Sequence, residues 1–265
     1  MAAVIDARGV SLDIPPPRRV VSLVPSTTET LFALGLGERV VGVTRFCVRP
    51  RERVRALPKV GGTKDLELDR LIALAPELVL GNVEENTPAI FAAIEERFPL
   101  YAAFPRTLDD AVEDLRNLGR LFELSERAEA LAAEIEAARA ALRAVATPFS
   151  YVYLIWRKPY MAVGTDTFIA AVLAEAGGVN ALSGPERYPE VSIEALAAAD
   201  RVLLISEPFP FKAAHADALV AEGVPREKLH FVDGQACSWH GVRLIEGLRE
   251  LAAAWGSLHA GRREA

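Results

Sequence analysis

The amino-acid sequence predicts an α/β protein of two lobes, each built on a parallel sheet, that are joined by a single long helix. Short β-branched strands alternate with helices in the first 105 residues, and the same alternation begins again after Pro148. A chain of 265 residues with 51% hydrophobic side chains is large enough for two cores. We therefore expect an N-terminal lobe over 1–105, a helical segment over 106–147 and a C-terminal lobe over 148–265.

The first lobe begins with a strand at 18–24 that leads directly into a helix. The residues from Pro25 to Glu29 supply a turn, a cap and an acid for the start of that helix, and Gly35 and Gly37 end it. Val40 to Thr44 is the next buried strand, so the order of strand, helix and strand predicts parallel pairing. The lobe continues with helices at 68–75 and 89–97 and with strands at 78–81 and 100–104.

The central segment, 107–146, is predicted to form two helices. Gly119 and Ser125 interrupt it, and the second piece, 126–146, is rich in Ala, Glu, Arg and Leu, which are strong helix formers. At about 1.5 Å per residue this piece would be roughly 30 Å long, which is enough to link two lobes. The alternative is a surface helix that packs on one lobe alone.

The second lobe repeats the alternation, although its sequence does not convincingly repeat that of the first. Gly177 and Gly178 end its first helix. We expect strands at 151–156, 201–206 and 229–233, and helices at 166–176, 192–199, 213–222 and 241–255.

The charge and the cysteine content exclude several classes of function. The formal net charge of −6 comes from 30 basic and 36 acidic residues without a basic block, which argues against nucleic acid as a partner. No apolar run reaches the ~18 residues that cross a membrane. Cys47 and Cys237 are too few for a disulfide framework or a four-thiolate zinc site.

The first ten residues, Met1 to Val10, lack the charged start and the apolar core of a secretory signal, and no lipid-attachment cysteine lies near them. As written, the chain is therefore expected in the cytoplasm. An export segment that had been removed would instead place it in the periplasm or another extracytoplasmic compartment.

Five segments carry a resemblance to a known family. In chain order they are RVVSLVPSTTETLFALGLGERVVGVT, GGTKDLELDRLIALAPELVL, DTFIAAVLAEAGGVNAL, VSIEALAAADRVLLI and SWHGVRLIEGL. They span about residues 18 to 255 and resemble the helical-backbone metal-chelate receptors, the class III substrate-binding proteins of ABC transporters. The cobalamin-binding branch is the most similar, followed by the receptors for heme and iron siderophores.

The resemblance implies two α/β lobes joined by one rigid helix, a ligand held in the cleft between them, and little hinge closure. It implies that the protein binds a ligand and is not an enzyme. Such a binding protein requires no cofactor and carries cobalamin or another metal chelate to ABC permease subunits. We expect a monomer. The alternative is a cytosolic corrinoid or heme sensor or chaperone that has no transporter.

Ligands of open parallel sheets collect beyond the carboxyl ends of the strands, so the loops that follow the strands are the candidate site. Trp156 and Trp239 offer flat apolar faces, while Arg45, Arg157 and Arg243 suit the polar rim of a macrocycle. The candidate ligand-binding residues are Pro25, Ser26, Thr27, Arg45, Phe46, Cys47, Glu84, Glu85, Asn86, Trp156, Arg157, Tyr160, Met161, Ser238, Trp239, His240 and Arg243.

Several candidates also have a structural interpretation. Ser26 and Thr27 have the residue types of helix caps, and Trp156 has that of a core residue. In the cobalamin branch, the region that matches 238–243 supplies an acid and an arginine to the corrin amides. Arg243 matches the arginine, whereas His240 or Ser238 replaces the acid, which leaves the ligand open.

The histidines do not predict a site for a bare metal ion. Zinc or manganese needs three or four converging ligands, and no ligand-like spacing links His215, His230, His240 and His259. Heme remains an alternative, with His240 or Tyr160 as its axial ligand, although the heme-attachment motif is absent. Cobalamin carries its own lower base and needs no protein ligand.

Two acids are candidates for contact with a transporter. Receptors of the resembled family present one acid on each lobe to arginines of the membrane permease. The matching positions are Asp69, in LDRLIAL, and Glu194, in VSIEALA. Both residues also have the ordinary interpretation of acids in the first turn of a helix.

A serine hydrolase is the remaining alternative for the function of this protein. Ser26, His240 and Asp233 supply the residue types of a catalytic triad, which is defined by geometry and not by chain order. Ser26, however, lacks the G-x-S-x-G turn, and a two-lobed fold is expected to place Ser26 and His240 on opposite sides of its cleft. The glycine motifs that bind phosphates and dinucleotides are absent as well.

Overall fold

The structure is a computed structural model that describes the backbone of residues 3–260 and the side chains of 3–254. The chain divides into two compact units. The first comprises the residues up to Pro105 together with Asp109–Glu134 and His240–Arg243, and the second comprises Arg106–Leu108, Ile135–Trp239 and the residues from Leu244 onward. The predicted boundaries lie after residues 105 and 147. They do not include residues 240–243 in the first unit, to which the chain returns there.

The first unit begins with an antiparallel hairpin, β1 (Val4–Ile5) and β2 (Ser11–Leu12), which the sequence does not predict. Its main sheet contains four strands in the order β4, β3, β5, β6, and every neighbouring pair is parallel. The strands of that sheet are β3 (Val20–Ser22), β4 (Val40–Val43), β5 (Leu78–Asn82) and β6 (Leu100–Ala103).

Helices cover this sheet and give it a buried core. Val21, Val79 and Leu71 have no exposed surface, and Leu23 and Ile94 are buried beside them. Strands buried on both faces have continuous apolar sequences, which is why they could be predicted from their β-branched runs. The helices are α1 (Pro25–Ala33), α2 (Arg51–Arg55), α3 (Leu68–Ala73), α4 (Pro88–Glu95), α5 (Leu108–Leu121) and α6 (Ser125–Ala144), of which the sequence does not predict α2.

The predicted pair of central helices is present as α5 and α6. They approach closely at Gly119, where an added Cβ atom would lie 2.5 Å from the Cβ of Ala128, so only glycine fits. The second helix is continuous over 20 residues, which corresponds to a length of about 30 Å. Its residues as far as Glu134 belong to the first unit, and those from Ile135 belong to the second.

The second unit is built on a sheet in the strand order β11, β10, β7, β8, with β9 paired to β7. The pairs of β7 with β9 and β10, and of β10 with β11, are parallel, whereas β7 and β8 form an antiparallel hairpin. The strands are β7 (Phe149–Trp156), β8 (Met161–Ala162), β9 (Gly178–Asn180), β10 (Arg201–Ile205) and β11 (Leu229–Val232). The helices are α7 (Phe168–Glu175), α8 (Ile193–Ala198), α9 (Ala213–Ala221), α10 (Gly234–Ser238) and α11 (Arg243–Ala260).

Three of these elements, β8, β9 and α10, are absent from the sequence prediction because they are too short to show a period. The sheets are parallel or nearly so and the elements alternate, so the predicted α/β fold class is confirmed. Within residues 3–260, no helix has both the length and the apolar character needed to cross a membrane.

Candidate ligand-binding site

The candidate residues of the first unit lie beyond the carboxyl ends of its strands. The chain leaves β3 toward β4 on one side and leaves β5 toward β6 on the other. In doubly wound sheets, such a switch point leaves a crevice between the two strands, where ligands bind. The region beyond β3 and β5 is therefore the candidate site of this unit.

Pro25, Ser26 and Thr27 follow β3 and form the first turn of α1. The cap residue is Val24, which makes no side-chain hydrogen bond to the helix, so neither Ser26 nor Thr27 acts as the cap. The hydroxyl of Thr27 is buried and has no hydrogen-bond partner within the described chain. The first N–H groups of a helix also lack partners inside the helix. This turn can therefore donate hydrogen bonds to a ligand oxygen.

Arg45, Phe46 and Cys47 follow β4 and differ in exposure. The guanidinium of Arg45 lies 4.9 Å from the centre of the Phe46 ring and 2.8 Å from a carboxylate oxygen of Asp65. Phe46 is 48% exposed, whereas Cys47 is buried against the hydroxyl of Thr28, at 3.1 Å. Burial raises the pKa of the Cys47 thiol, so the thiol stays protonated. Arg45 and Phe46 are accessible to a ligand, and Cys47 belongs to the packing beneath them.

Glu84, Glu85 and Asn86 follow β5 in a loop that is held by two asparagines. The side-chain oxygen of Asn82 accepts hydrogen bonds from the backbone N–H groups of Glu84, at 2.8 Å, and Glu85, at 3.3 Å. The amide of Asn86 accepts from the Asn82 N–H and donates to the Thr63 carbonyl. Asn86 is therefore used to hold the loop, while the two glutamates are partly exposed.

In the second unit, Trp156 to Met161 form the hairpin between β7 and β8. Trp156 and Met161 are paired across the hairpin, and both are accessible, Trp156 with 45% of its surface. The Nε atom of Arg157 is buried without a hydrogen-bond partner among the described residues. The hydroxyl of Tyr160 donates a 3.3 Å hydrogen bond to Glu222.

Trp156 is the exposed end of an aromatic cluster and not a core residue. Its ring meets that of Phe209 edge to face, with a centroid distance of 5.6 Å. Phe209 in turn contacts Phe211, at 4.8 Å, and His215, at 5.1 Å. Phe209 and Phe211 follow β10, so this cluster lies where the sequence places a ligand loop, although neither phenylalanine is among the candidate residues.

Ser238 and Trp239 lie at the end of α10, a short helix between the predicted strand at 229–233 and the predicted helix at 241–255. The Ser238 hydroxyl donates to the Gly234 carbonyl at 2.8 Å. The indole N–H of Trp239 donates a 2.6 Å hydrogen bond to Glu207, and only 8% of the residue is exposed. The expectation that Trp239 offers an open apolar face does not agree with this position.

His240 lies in the first unit, with its Nε2 atom 2.9 Å from the Ser26 hydroxyl and 3.5 Å from the amide nitrogen of Asn82. The expectation that Ser26 and His240 face each other across a cleft is wrong. Its error is topological, since residues 240–243 belong to the first unit while the residues on both sides of them belong to the second.

Asp114 of α5 lies on the other side of the imidazole. Its Oδ2 atom is 3.9 Å from Nδ1 of His240, and its Oδ1 atom accepts a 2.6 Å hydrogen bond from the hydroxyl of Tyr101. Burial lowers the pKa of His240 to about 4 and raises the pKa of Asp114 to about 6. The imidazole is therefore neutral at neutral pH.

The geometry does not support the hydrolase alternative. Ser26 is only 2% exposed, and 3.9 Å is too long for the hydrogen bond that orients the histidine of a triad. Asp233, the acid that the sequence offers, lies in the second unit, where its carboxylate accepts hydrogen bonds from Ser206 and from the backbone of Gln235.

Arg243 is 6% exposed and is paired with Glu29 of α1. Its guanidinium donates to both carboxylate oxygens of Glu29, at 2.7 Å from Nη2 and 3.2 Å from Nε. Bidentate pairs of this kind fix both side chains. The predicted role of Arg243 as an anchor for a ligand would require this pair to open.

The two acids predicted to contact a transporter are both exposed on short helices. Asp69 lies in the first turn of α3, and Glu194 lies in the first turn of α8. A hydrogen bond from Ser192 lowers the pKa of Glu194, so its carboxylate also stabilises the start of its own helix.

No three His, Cys, Asp or Glu side chains converge into a group that could hold a metal ion within the described residues. The side chain of His259, one of the four histidines of the sequence, lies outside that part of the chain.

Comparison with known proteins assigns the chain to a family. A family model described as "periplasmic binding protein" matches residues 20–221. The vitamin B12-binding protein of Vibrio campbellii (strain ATCC BAA-1116) is 31% identical over 184 residues, which are 68% of this chain and 66% of that protein. The chain thus matches just under two thirds of the length of that relative.

Two solved structures show the same fold. The periplasmic heme-binding protein RhuT from Roseiflexus sp. RS-1, in apo form, gives a TM-score of 0.79 at 28% identity and covers 91% of this chain and 98% of that one. The periplasmic vitamin B12-binding protein BtuF of Vibrio cholerae gives 0.78 at 21% identity, over 92% and 98% of the two chains. At 21% identity, the similarity to BtuF shows only that the two chains share a fold.

The chain therefore belongs to the periplasmic binding proteins, as its resemblance predicts. These are ligand-binding proteins and not enzymes, so family membership also confirms the predicted class.

Proposed function

We propose that this chain is the substrate-binding protein of an ABC-type importer and that its ligand is a metal chelate. A corrinoid such as cobalamin is the first candidate, and heme or an iron siderophore comes next. The observation that carries the proposal is the 31% identity over 184 residues with a protein named for binding vitamin B12. The name of the family favours a periplasmic or other extracytoplasmic location.

The chemistry of the two sheet edges supports a large, preassembled ligand. The first unit supplies a helix start at Ser26 and Thr27 and a cation at Arg45, which suit amide, carboxylate or phosphate groups. The second unit supplies the exposed face of Trp156. Either kind of contact suits a macrocycle, which has an apolar face and a polar rim.

Heme would require a different use of the same loops, because its iron needs an axial ligand from the protein. His240 is unsuited to that role because its Nε2 atom contacts Ser26 and only 5% of the residue is exposed. Tyr160 is the remaining candidate. We expect Tyr160→Phe to weaken binding of hemin and to leave binding of cyanocobalamin unchanged.

The visible absorbance spectrum of the complex identifies the class of the bound ligand. The chain is incubated in turn with cyanocobalamin, hemin and ferrichrome, passed through a size-exclusion column, and titrated with each chelate that coelutes. We expect one chelate to coelute near a one-to-one ratio, and a heat-unfolded sample serves as the control. Retention of none of the three would refute the proposal.

Contact with the transporter is a separate part of the proposal. We expect reversal of both Asp69 and Glu194 to lysine to abolish uptake in cells that depend on this chain, because exposed acids steer association with a cationic partner. Affinity for the chelate should not change, since both acids lie on helix starts outside the candidate loops. Glu67→Lys, an exposed acid beside α3, is the matched control. Normal uptake by the double variant would exclude this docking role.

A further inference from the structure

Residues 240–243, here called the 240–243 segment, are held by one face of α1. Besides the contact of His240 with Ser26, the backbone N–H of Val242 donates a 3.2 Å hydrogen bond to the Thr30 hydroxyl, and Arg243 forms its bidentate pair with Glu29. Ser26, Glu29 and Thr30 are three and four residues apart, so they lie on the same side of the helix.

Gly241 permits the close approach of this segment. Its φ is +73°, and an added Cβ atom would lie 2.2 Å from the Thr30 hydroxyl oxygen. A residue with a side chain would therefore clash with α1 and would be strained in its backbone.

His240 connects α1 to the neighbouring strand as well. Its Nε2 atom lies 3.5 Å from the side-chain nitrogen of Asn82, whose oxygen holds the backbone of Glu84 and Glu85. The imidazole thus lies at the switch point, between the turn that follows β3 and the loop that follows β5. Movement of His240 would affect both.

We propose that His240 is a positioning residue, which fixes the ligand-binding edge of the first unit through Ser26 and Asn82 and does not itself contact the ligand. This inference rests on the proposed function. Its physical basis is that an edge ordered before binding loses less conformational freedom when the ligand arrives. The other three residues of the segment hold the histidine against α1.

Hydrogen exchange of the ligand-free chain tests the positioning role. We compare the parent with His240→Leu, which removes both ring nitrogens, and His240→Gln, whose amide can still bond to Ser26. In His240→Leu, we expect exchange at least tenfold faster in peptides that cover α1 and residues 82–86, with β10 unchanged. His240→Gln should exchange like the parent. His230→Leu, the same change on β11 of the second unit, is the matched control.

Titration with the chelate that the parent retains provides the second readout. We expect His240→Leu to bind at least tenfold more weakly and His240→Gln to bind within threefold of the parent. If His240→Leu does not fold cooperatively, Glu29→Gln replaces it, because that change loosens the same face of α1 through Arg243.

The outcomes separate the two proposals. Unchanged exchange in α1 and 82–86 would overturn the positioning role whether or not a ligand is known. Parent-like exchange in His240→Gln with binding lost would make His240 a ligand contact and would also overturn it. A parent chain that binds none of the three chelates would refute the proposed function, while the exchange measurements would still decide whether His240 orders this edge.

Discussion

The carboxyl edges of the two sheets differ in how their functional side chains are used. In the first unit, the edge is polar and closed, since His240 contacts both Ser26 and Asn82 and all three residues are nearly fully buried. In the second unit, the edge is aromatic and open, and Trp156 exposes 45% of its surface above Phe209. One edge is ordered by hydrogen bonds, and the other presents apolar area.

This difference shows that the type of a residue and its exposure are separate properties, and that the sequence gives only the first. Residue type alone makes Trp156 and Trp239 equivalent apolar anchors and makes Arg45 and Arg243 equivalent cations. In the structure, Trp156 and Arg45 are exposed, while Trp239 and Arg243 are buried in hydrogen bonds to glutamates. The exposed member of each pair is suited to bind a ligand, and the buried member is suited to stabilise the fold.

The largest expected effect concerns Trp239 as a structural residue. Trp239→Ala should lower the free energy of unfolding by about 3–5 kcal/mol, because it leaves a cavity and removes the donor to Glu207. Trp239→Phe keeps most of the packing and should cost less. Denaturant titration measures both variants. A loss below about 1 kcal/mol for Trp239→Ala, together with weaker chelate binding, would show that Trp239 is a ligand contact after all.

The closed edge of the first unit should also be sensitive to pH. The unfolded histidine titrates near its ordinary pKa of about 6.5, whereas the pKa of His240 is about 4 in the folded chain. As the pH falls through this window, the unfolded chain binds a proton that the folded chain does not, so stability is lost. The full loss is about 3 kcal/mol at roughly 1.4 kcal/mol per pKa unit.

Asp114, which faces His240 and is bonded to Tyr101, contributes with the opposite sign. Its pKa of about 6 lies above the ordinary value, so its protonation stabilises the folded chain as the pH falls. Comparison with His240→Gln isolates the histidine because Asp114 is present in both chains. The unfolding free energy of the parent should fall relative to that of the variant between pH 7.5 and pH 4.5. A constant difference in unfolding free energy would contradict the lowered pKa of His240.

Much of the fold could be predicted from the sequence because its signals are local. Runs such as Val202 to Ile205 are buried on both faces and therefore apolar throughout, and Pro25 marks the start of α1. The continuous helix α6 follows from its content of strong helix formers. The short elements β8, β9 and α10 have no such signal.

The site is harder to predict from the sequence because its geometry depends on contacts between distant residues. His240 and Ser26 are 214 positions apart, and no pattern in the sequence shows that 240–243 return to the first unit. The position of Asp114, by contrast, can be recognised from the sequence pattern of α5. It lies three residues after Ala111 and four before Leu118, both buried, so it falls on the apolar face of α5, where an acid requires a partner.

The open edge of the second unit should contribute most of the apolar binding energy. Trp156→Ala should weaken chelate binding by about 2 kcal/mol, which is more than tenfold in affinity, because it removes a large flat contact. Phe231→Ala removes an exposed aromatic ring from β11, outside the loops, and is the matched control. Equal affinities of both variants, measured by absorbance titration, would place the ligand away from the β7 hairpin.

The smallest expected effect is that of Arg45, the exposed cation of the first edge. Its guanidinium is already paired with Asp65 at 2.8 Å, and both side chains are at least half exposed, so a ligand contact gains little and competes with that pair. Arg45→Ala should therefore weaken chelate binding by less than about 1 kcal/mol, or about fivefold. Asp65→Ala frees the same guanidinium and should strengthen binding slightly if Arg45 reaches the ligand. The titration used for Trp156→Ala compares all three variants in one buffer. A larger loss for Arg45→Ala than for Trp156→Ala would reverse the comparison, because the polar edge of the first unit would then supply most of the affinity.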